Sequence, residues 1–246
     1  RRKTYKQGSK RKKALLYLLE KGLNQLQDLL NSYPEIQLSL HERRYLRTIK
    51  EVLSQQQFLQ THPAKELKDR IVSLPKPYVR PIIRGKENKR VEFGMKVHML
   101  QTDGISYFDT INFNAFNETT RLKTSVFKHK SIFGRCHQLG ADNIYPTNKN
   151  RKFLTSKKIF TSFINKGPKQ PNKSEKQLKS TLSTIRATVM EGAFGTHKTA
   201  YGLQKVKAKS KVNEIVWVFF GVMTANAVKI SKRKHSTGSP PLPLAA

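Results

Sequence analysis

The dipeptide Asp103-Gly104 constrains the centre of this chain more than any other feature. It follows VEFGMKVHML (Val91 to Leu100) and precedes the segment from Ile105 to Phe113, both rich in strand-forming residues. Asp-Gly is a favoured pair for a two-residue turn, because it tolerates positive φ at both positions and matches the twist of antiparallel strands. A β-hairpin is therefore expected in mid-chain, and the fold has to be assembled around it.

Helical patterns flank the hairpin. From Ala14 to Asn31, leucines recur at helical spacing, and Ser32-Tyr33-Pro34 stops that run. A second helix is expected from about Leu38 to Leu59, ended by His62-Pro63, which makes an αα-hairpin. Ile71 to Leu74 reads as a short strand, and Pro75, Pro77 and Pro81 then force an irregular link. After the central hairpin, Asn117 to Phe133 reads as a helix ending near Gly134, Leu139 to Ile144 as a short apolar segment, and Asn150 to Phe163 as helical. Ser174 and Gln177 form a capping-box pattern opening a long helix to about Phe194. Ile215 to Met223 reads as a buried core helix or strand, too short to span a bilayer, and the end of the chain as an unstructured tail. Strands followed by helices in this order suggest an α/β domain. The expected organisation is a basic helical region over 1–62, a catalytic domain over 63–232, and a disordered tail over 233–246.

The net charge is +32, from 48 basic and 16 acidic side chains. Such a surface attracts polyanions by long-range Coulomb force and counterion release, and nucleic acid is the default partner. A membrane is not expected as a partner. The basic run from Arg1 to Lys13 is either a DNA-contacting arm or a solvated end. The single cysteine, Cys136, excludes an internal disulfide framework and a cysteine-rich zinc site, and it fits a reducing, cytoplasmic compartment. His98, His129, His137 and His197 show no metal-ligand spacing.

Because acidic residues are scarce, each can be weighed. Most lie on helix surfaces or in turns. Asp69, Glu92, Asp142 and Glu191 each sit beside an apolar segment. Leu178, Leu182, Ile185 and Val189 share one helical face, and Glu191 falls roughly opposite, near Thr184, Ala187 and Lys198. Periodicity alone favours an ordinary solvated face there.

Four stretches, in order, add a resemblance: Asp69 to Gly104 (DRIVSLPKPYVRPIIRGKENKRVEFGMKVHMLQTDG), Ala141 to Arg151 (ADNIYPTNKNR), Glu191 to Ser210 (EGAFGTHKTAYGLQKVKAKS) and Asn213 to Ile230 (NEIVWVFFGVMTANAVKI). Together they resemble the catalytic core of bacterial insertion-sequence DDE transposases, and the likeness runs from about Leu38 to Lys232. Glu191 and Lys198, with six residues between them, match that family's glutamate–lysine signature. The resemblance implies an RNase H-like α/β fold, a mixed sheet flanked by helices, preceded here by the N-terminal helical hairpin. It implies that Asp69, Asp142 and Glu191 are the catalytic carboxylates and hold two Mg²⁺ (or Mn²⁺) ions. Lys198, Arg186, Arg80, Arg84 and Lys86 become the DNA-contacting candidates. The implied activity is metal-dependent DNA cleavage and strand transfer on element ends and target, by a homo-oligomer on DNA associated with the bacterial nucleoid.

The chain departs from the family pattern in several places. The family usually carries an arginine four residues before the glutamate, where this chain has Ala187. Arg186 is one residue earlier and on an ideal helix points well away, so either the helix is locally overwound or that phosphate contact is absent. Pro75 stands where family members commonly carry a less rigid residue. The family's N-terminal DNA-binding region is expected to be missing from this chain. Asp69 lies at the edge of its expected strand. The alternatives to an active transposase are a non-catalytic basic DNA-binding protein and an inactive remnant that binds without cutting.

Overall fold

The computed structural model describes residues 5–83, 91–167 and 171–237. Arg84 and Lys86 lie outside them, as do residues 1–4 of the basic run and residues 238–246 of the expected tail. The chain divides into two compact units, residues 1–94 and 95–246.

In the first unit, α1 (Tyr5–Ser32) and α2 (Leu40–Thr61) make the expected αα-hairpin. Helix α1 begins well before the leucine pattern, because lysine and arginine are good helix formers even without an apolar stripe. Helix α2 opens with a reciprocal box. Ser39 Oγ accepts from the Glu42 amide, and the Glu42 carboxylate accepts from the Ser39 amide at 2.8 Å. Leu16 and Leu53 are buried. Ile71 to Leu74 is not a strand. The Ile71 amide donates to Gln55 Oε1 at 2.9 Å instead of joining a ladder, and the prolines that follow remove further donors. The strands of this unit are β1 (Arg80–Ile83) and β2 (Val91–Gly94), paired antiparallel.

Gly94, at φ 144°, ends β2 and divides the expected Val91–Leu100 strand. In the second unit, β3 (Lys96–Thr102) and β4 (Ile105–Asn112) form the expected hairpin. Asp103 and Gly104 both adopt positive φ, 49° and 73°, as the turn requires. A bulge interrupts the ladder. His98 pairs with Thr110 and Met99 with Phe108, which leaves Asp109 as the extra residue.

A 3₁₀ turn (Glu118–Arg121) leads into α3 (Leu122–Phe133), followed by β5 (Gln138–Leu139), α4 (Asn148–Ser156) and β6 (Phe160–Thr161). Strands β5 and β6 pair in parallel, so the expected Asn150–Phe163 helix stops early and its end turns into strand. Leu122, Val126, Tyr145, Leu154, Ile159 and Phe163 form the core here, with Cys136 buried among them. Burial pushes the Cys136 thiol up, which keeps it unreactive.

Helix α5 (Lys173–Ile185) is capped by Asn172, whose side chain accepts from the Glu175 amide at 2.8 Å, two residues before the Ser174 cap expected. A π-helical turn (Arg186–Met190) joins it to α6 (Glu191–Thr199). The long helix α7 (Lys211–Thr237) lies on the central hairpin. Asn226 binds it as a strand would: its Oδ1 accepts from the Ser106 amide at 3.0 Å, and its Nδ2 donates to the Ser106 carbonyl at 2.6 Å. Val218 and Val222 are buried beside it. Trp217 and Phe219, expected in the core, are 38% and 45% exposed. The helix over Lys211–His235 holds an 18-residue stretch apolar enough, by length and composition, to cross a membrane, because helix continues on both sides of the short apolar run. It also carries helix beyond residue 233, where tail was expected.

Among the described residues the strands form three separate two-stranded sheets.

Candidate nucleic-acid and catalytic site

The stripe that placed Glu191 is only partly buried. Leu182 is buried, but Ile185 and Val189 are 48% and 38% exposed. The π turn explains the second of these. Its wider winding inserts one residue into the helix, so Val189 rotates out of the phase that an ideal α-helix would give it, whereas the exposure of Ile185, which precedes the turn, has no such cause.

The same turn determines where Arg186 points. The Glu191 amide donates to the Arg186 carbonyl, five residues back. Arg186 and Glu191 therefore lie one above the other, and Arg186 Nη1 donates to Glu191 Oε1 at 2.9 Å. The sequence allowed an overwound helix or an arginine pointing away. The helix is instead locally underwound, and Arg186 occupies the place beside the glutamate that an arginine four residues earlier would fill in a regular helix. Lys198 is exposed and lies two turns further along the same helix, on the face that carries Glu191.

Asp142 is exposed on the turn that follows β5. Its Oδ1 accepts from the Asn143 amide at 2.7 Å, and its carbonyl accepts from the Tyr145 amide at 3.0 Å. The chain just after β5 approaches α5 and the π turn closely. A Cβ built on Gly140 would stand 3.0 Å from the Leu182 carbonyl oxygen and 3.9 Å from Arg186 Cβ. Only glycine lets this backbone contact form without displacement. The segment bearing Asp142 thus packs against the helix at the root of Arg186.

Asp69 belongs to the first unit and Asp142 and Glu191 to the second. Asp69 has φ 58°, in the left-handed region, and its Oδ1 lies 3.7 Å from Arg80 Nε. Arg80, expected to touch DNA, also donates to the Val79 carbonyl at 3.1 Å. Among the described residues no group of three or more His, Cys, Asp or Glu side chains gathers as a metal-binding set. Asp142 and Glu191 are hard oxygen donors of the kind Mg²⁺ takes, and both lie in the second unit.

Sequence patterns did not reveal a second polar centre in the same unit. Asp109, the bulged residue of β4, has a fully buried carboxylate. Its Oδ2 accepts from Arg121 Nε at 3.0 Å and pairs with His98 Nδ1 at 2.9 Å. Its Oδ1 has no hydrogen-bond partner among the described residues. Burial works to raise the Asp109 carboxyl, but the hydrogen bonds from Arg121 and His98 outweigh it and hold it below the usual carboxylate range. The only signal in the sequence was an acidic residue inside a strand, and strand alternation does not reveal a bulge.

A scan against protein-family models finds no match, and neither does a search of curated proteins or of solved structures.

Proposed function

We propose that this chain is a DNA strand-cleaving and strand-transferring enzyme of the insertion-sequence transposase type, with Asp142 and Glu191 as catalytic carboxylates and Asp69 as the third. One observation carries the reading. A π turn holds the Arg186 guanidinium 2.9 Å from Glu191, on the helix against which the Asp142 segment packs. The ordered sequence motifs and the +32 charge support it. Bound divalent cations would activate the attacking oxygen and stabilise the leaving one. The chain's own residues do the rest. Arg186 and Lys198 hold the anionic backbone along the face of α6, and the turn after β5 presents Asp142.

A second reading is a basic DNA-binding remnant that does not cut. The Asp69–Arg80 pair favours it, because a carboxylate engaged by its own unit's arginine has a structural use. One experiment separates the two. Cleavage of duplex DNA is assayed with Mg²⁺ or Mn²⁺ for the parent chain, Glu191→Gln and Asp142→Asn. The transposase reading expects metal-dependent cleavage that both substitutions abolish while DNA binding survives. Cleavage that persists in EDTA or in Glu191→Gln overturns it. Binding with no cleavage by the parent chain supports the remnant.

A further inference from the structure

Tyr145 closes the turn that carries Asp142, and its ring is buried beneath that turn. Its hydroxyl oxygen lies 2.7 Å from His98 Nε2 and 3.3 Å from Glu118 Oε2. Burial, reinforced by Glu118, pushes the Tyr145 hydroxyl well up, so it stays protonated and has one hydrogen to give. One hydrogen cannot serve two acceptors.

The partners of His98 decide where it goes. The buried Asp109 carboxylate accepts from His98 Nδ1, which fixes a proton on that nitrogen. When the ring is neutral, Nε2 is an acceptor, and Tyr145 gives its hydrogen to His98. Among the described residues Glu118 is then held by Lys96, whose Nζ lies 2.9 Å from Glu118 Oε1. When the ring is protonated, Nε2 donates to the Tyr145 oxygen, and the hydroxyl hydrogen is free for Glu118. The charged groups around the ring are Asp109 on β4, Arg121 on the 3₁₀ turn, and Glu118 with Lys96 beyond Tyr145. Lys128 Nζ also reaches the Asp109 carbonyl from α3, at 3.4 Å.

We infer that Tyr145 is a positioning residue for Asp142, and that the charge on His98 sets its hydrogen-bond partner and so the hold on the Asp142 turn. The network itself stands on geometry. Its meaning for catalysis rests on the reading of Asp142 given above. The bond from Tyr145 to Glu118 adds a second anchor on a different element, so the turn is held more firmly when His98 is charged. Tyr145→Phe keeps the ring packing and removes the relay.

The test needs no DNA cleavage, so its failure is distinct from failure of the transposase reading. The full chain is labelled with ¹⁵N-histidine, and the ring nitrogens of His98 are followed against pH in the parent, Glu118→Gln, Tyr145→Phe and the double variant. Hydrogen exchange of the Tyr145 amide, which donates to the Asp142 carbonyl, is read at the same pH values. In Glu118→Gln the His98 ring-nitrogen signals should change, and by less in the Tyr145→Phe background. In the parent, protection of the Tyr145 amide (its exchange rate relative to the unfolded chain at the same pH) should rise as His98 becomes charged. In Tyr145→Phe that protection should be lower by about tenfold, the equivalent of one hydrogen bond, and independent of the His98 transition. An equal effect of Glu118→Gln with and without the hydroxyl, or amide protection blind to the His98 transition in the parent, overturns the inference.

Discussion

Arg186 and Glu191, five residues apart, are joined side chain to side chain at 2.9 Å because the helix between them makes a π turn. In a regular α-helix, residues four apart stack and residues five apart diverge. The π turn behaves as one residue inserted into an otherwise continuous helix.

That relationship predicts the result of a deletion. Removing Ala187 should convert the π turn to an α turn, leave the faces on either side in phase, and keep the arginine beside the glutamate. Removing Gly195 should instead rotate buried His197 by about 100° and break its packing. Thermal melts of the two deletions should therefore differ by several degrees, with the Ala187 deletion close to the parent. Equal destabilisation by both would mean that the π turn is not an insertion. The ion pair itself adds little stability. Its side chains are 28% and 59% exposed, so Arg186→Ala should cost under about 0.5 kcal/mol.

Asn226 should be far more sensitive. Its amide completes the hydrogen bonding of the Ser106 backbone, and both residues are buried. Asn226→Leu leaves the Ser106 amide and carbonyl without these partners and should cost about 2–4 kcal/mol in urea unfolding. A cost below about 1 kcal/mol would show that α7 does not dock on the hairpin through this residue.

Acid should destabilise the second unit across two pH windows. Burial, with Lys229 nearby, holds His197 below its ordinary value, so the unfolded chain takes up that proton first. Stability should begin to fall as pH drops below about 6.5. Asp109 is also lowered, so its contribution is present above about pH 4 and disappears as pH falls through its depressed folded value. Urea midpoints at three pH values bracketing these windows check the assignment. Asp109→Asn should shrink the drop across the lower window and leave the upper one. His197→Phe should do the reverse.

DNA binding should be strongly salt-dependent. Lys10, Arg11 and Lys13 are exposed on α1, which makes them part of a rigid helix rather than a loose arm. Replacing the three with Gln should lower the magnitude of the log–log salt slope by about 0.9 for each phosphate that is no longer neutralised. An unchanged slope would mean that this end of α1 does not touch DNA.

Elements with local causes are legible along the chain. Asp103-Gly104 dictates its turn, Ser39 and Glu42 start α2, Gly134 ends α3, and leucine spacing draws the αα-hairpin. These depend on backbone sterics and on partners a few residues away. The remaining features exist only once the chain is packed. Asp109 enters the interior because a bulge shifts it out of strand alternation, and it stays charged there because Arg121 and His98 arrive from elsewhere in the chain. Arg186 reaches Glu191 because one surplus residue is absorbed as a π turn, where a helical wheel assumes constant winding. Gly140 matters because the distant Leu182 carbonyl presses on it. Each of these contacts links residues whose spacing carries no period, so no pattern along the chain could announce them.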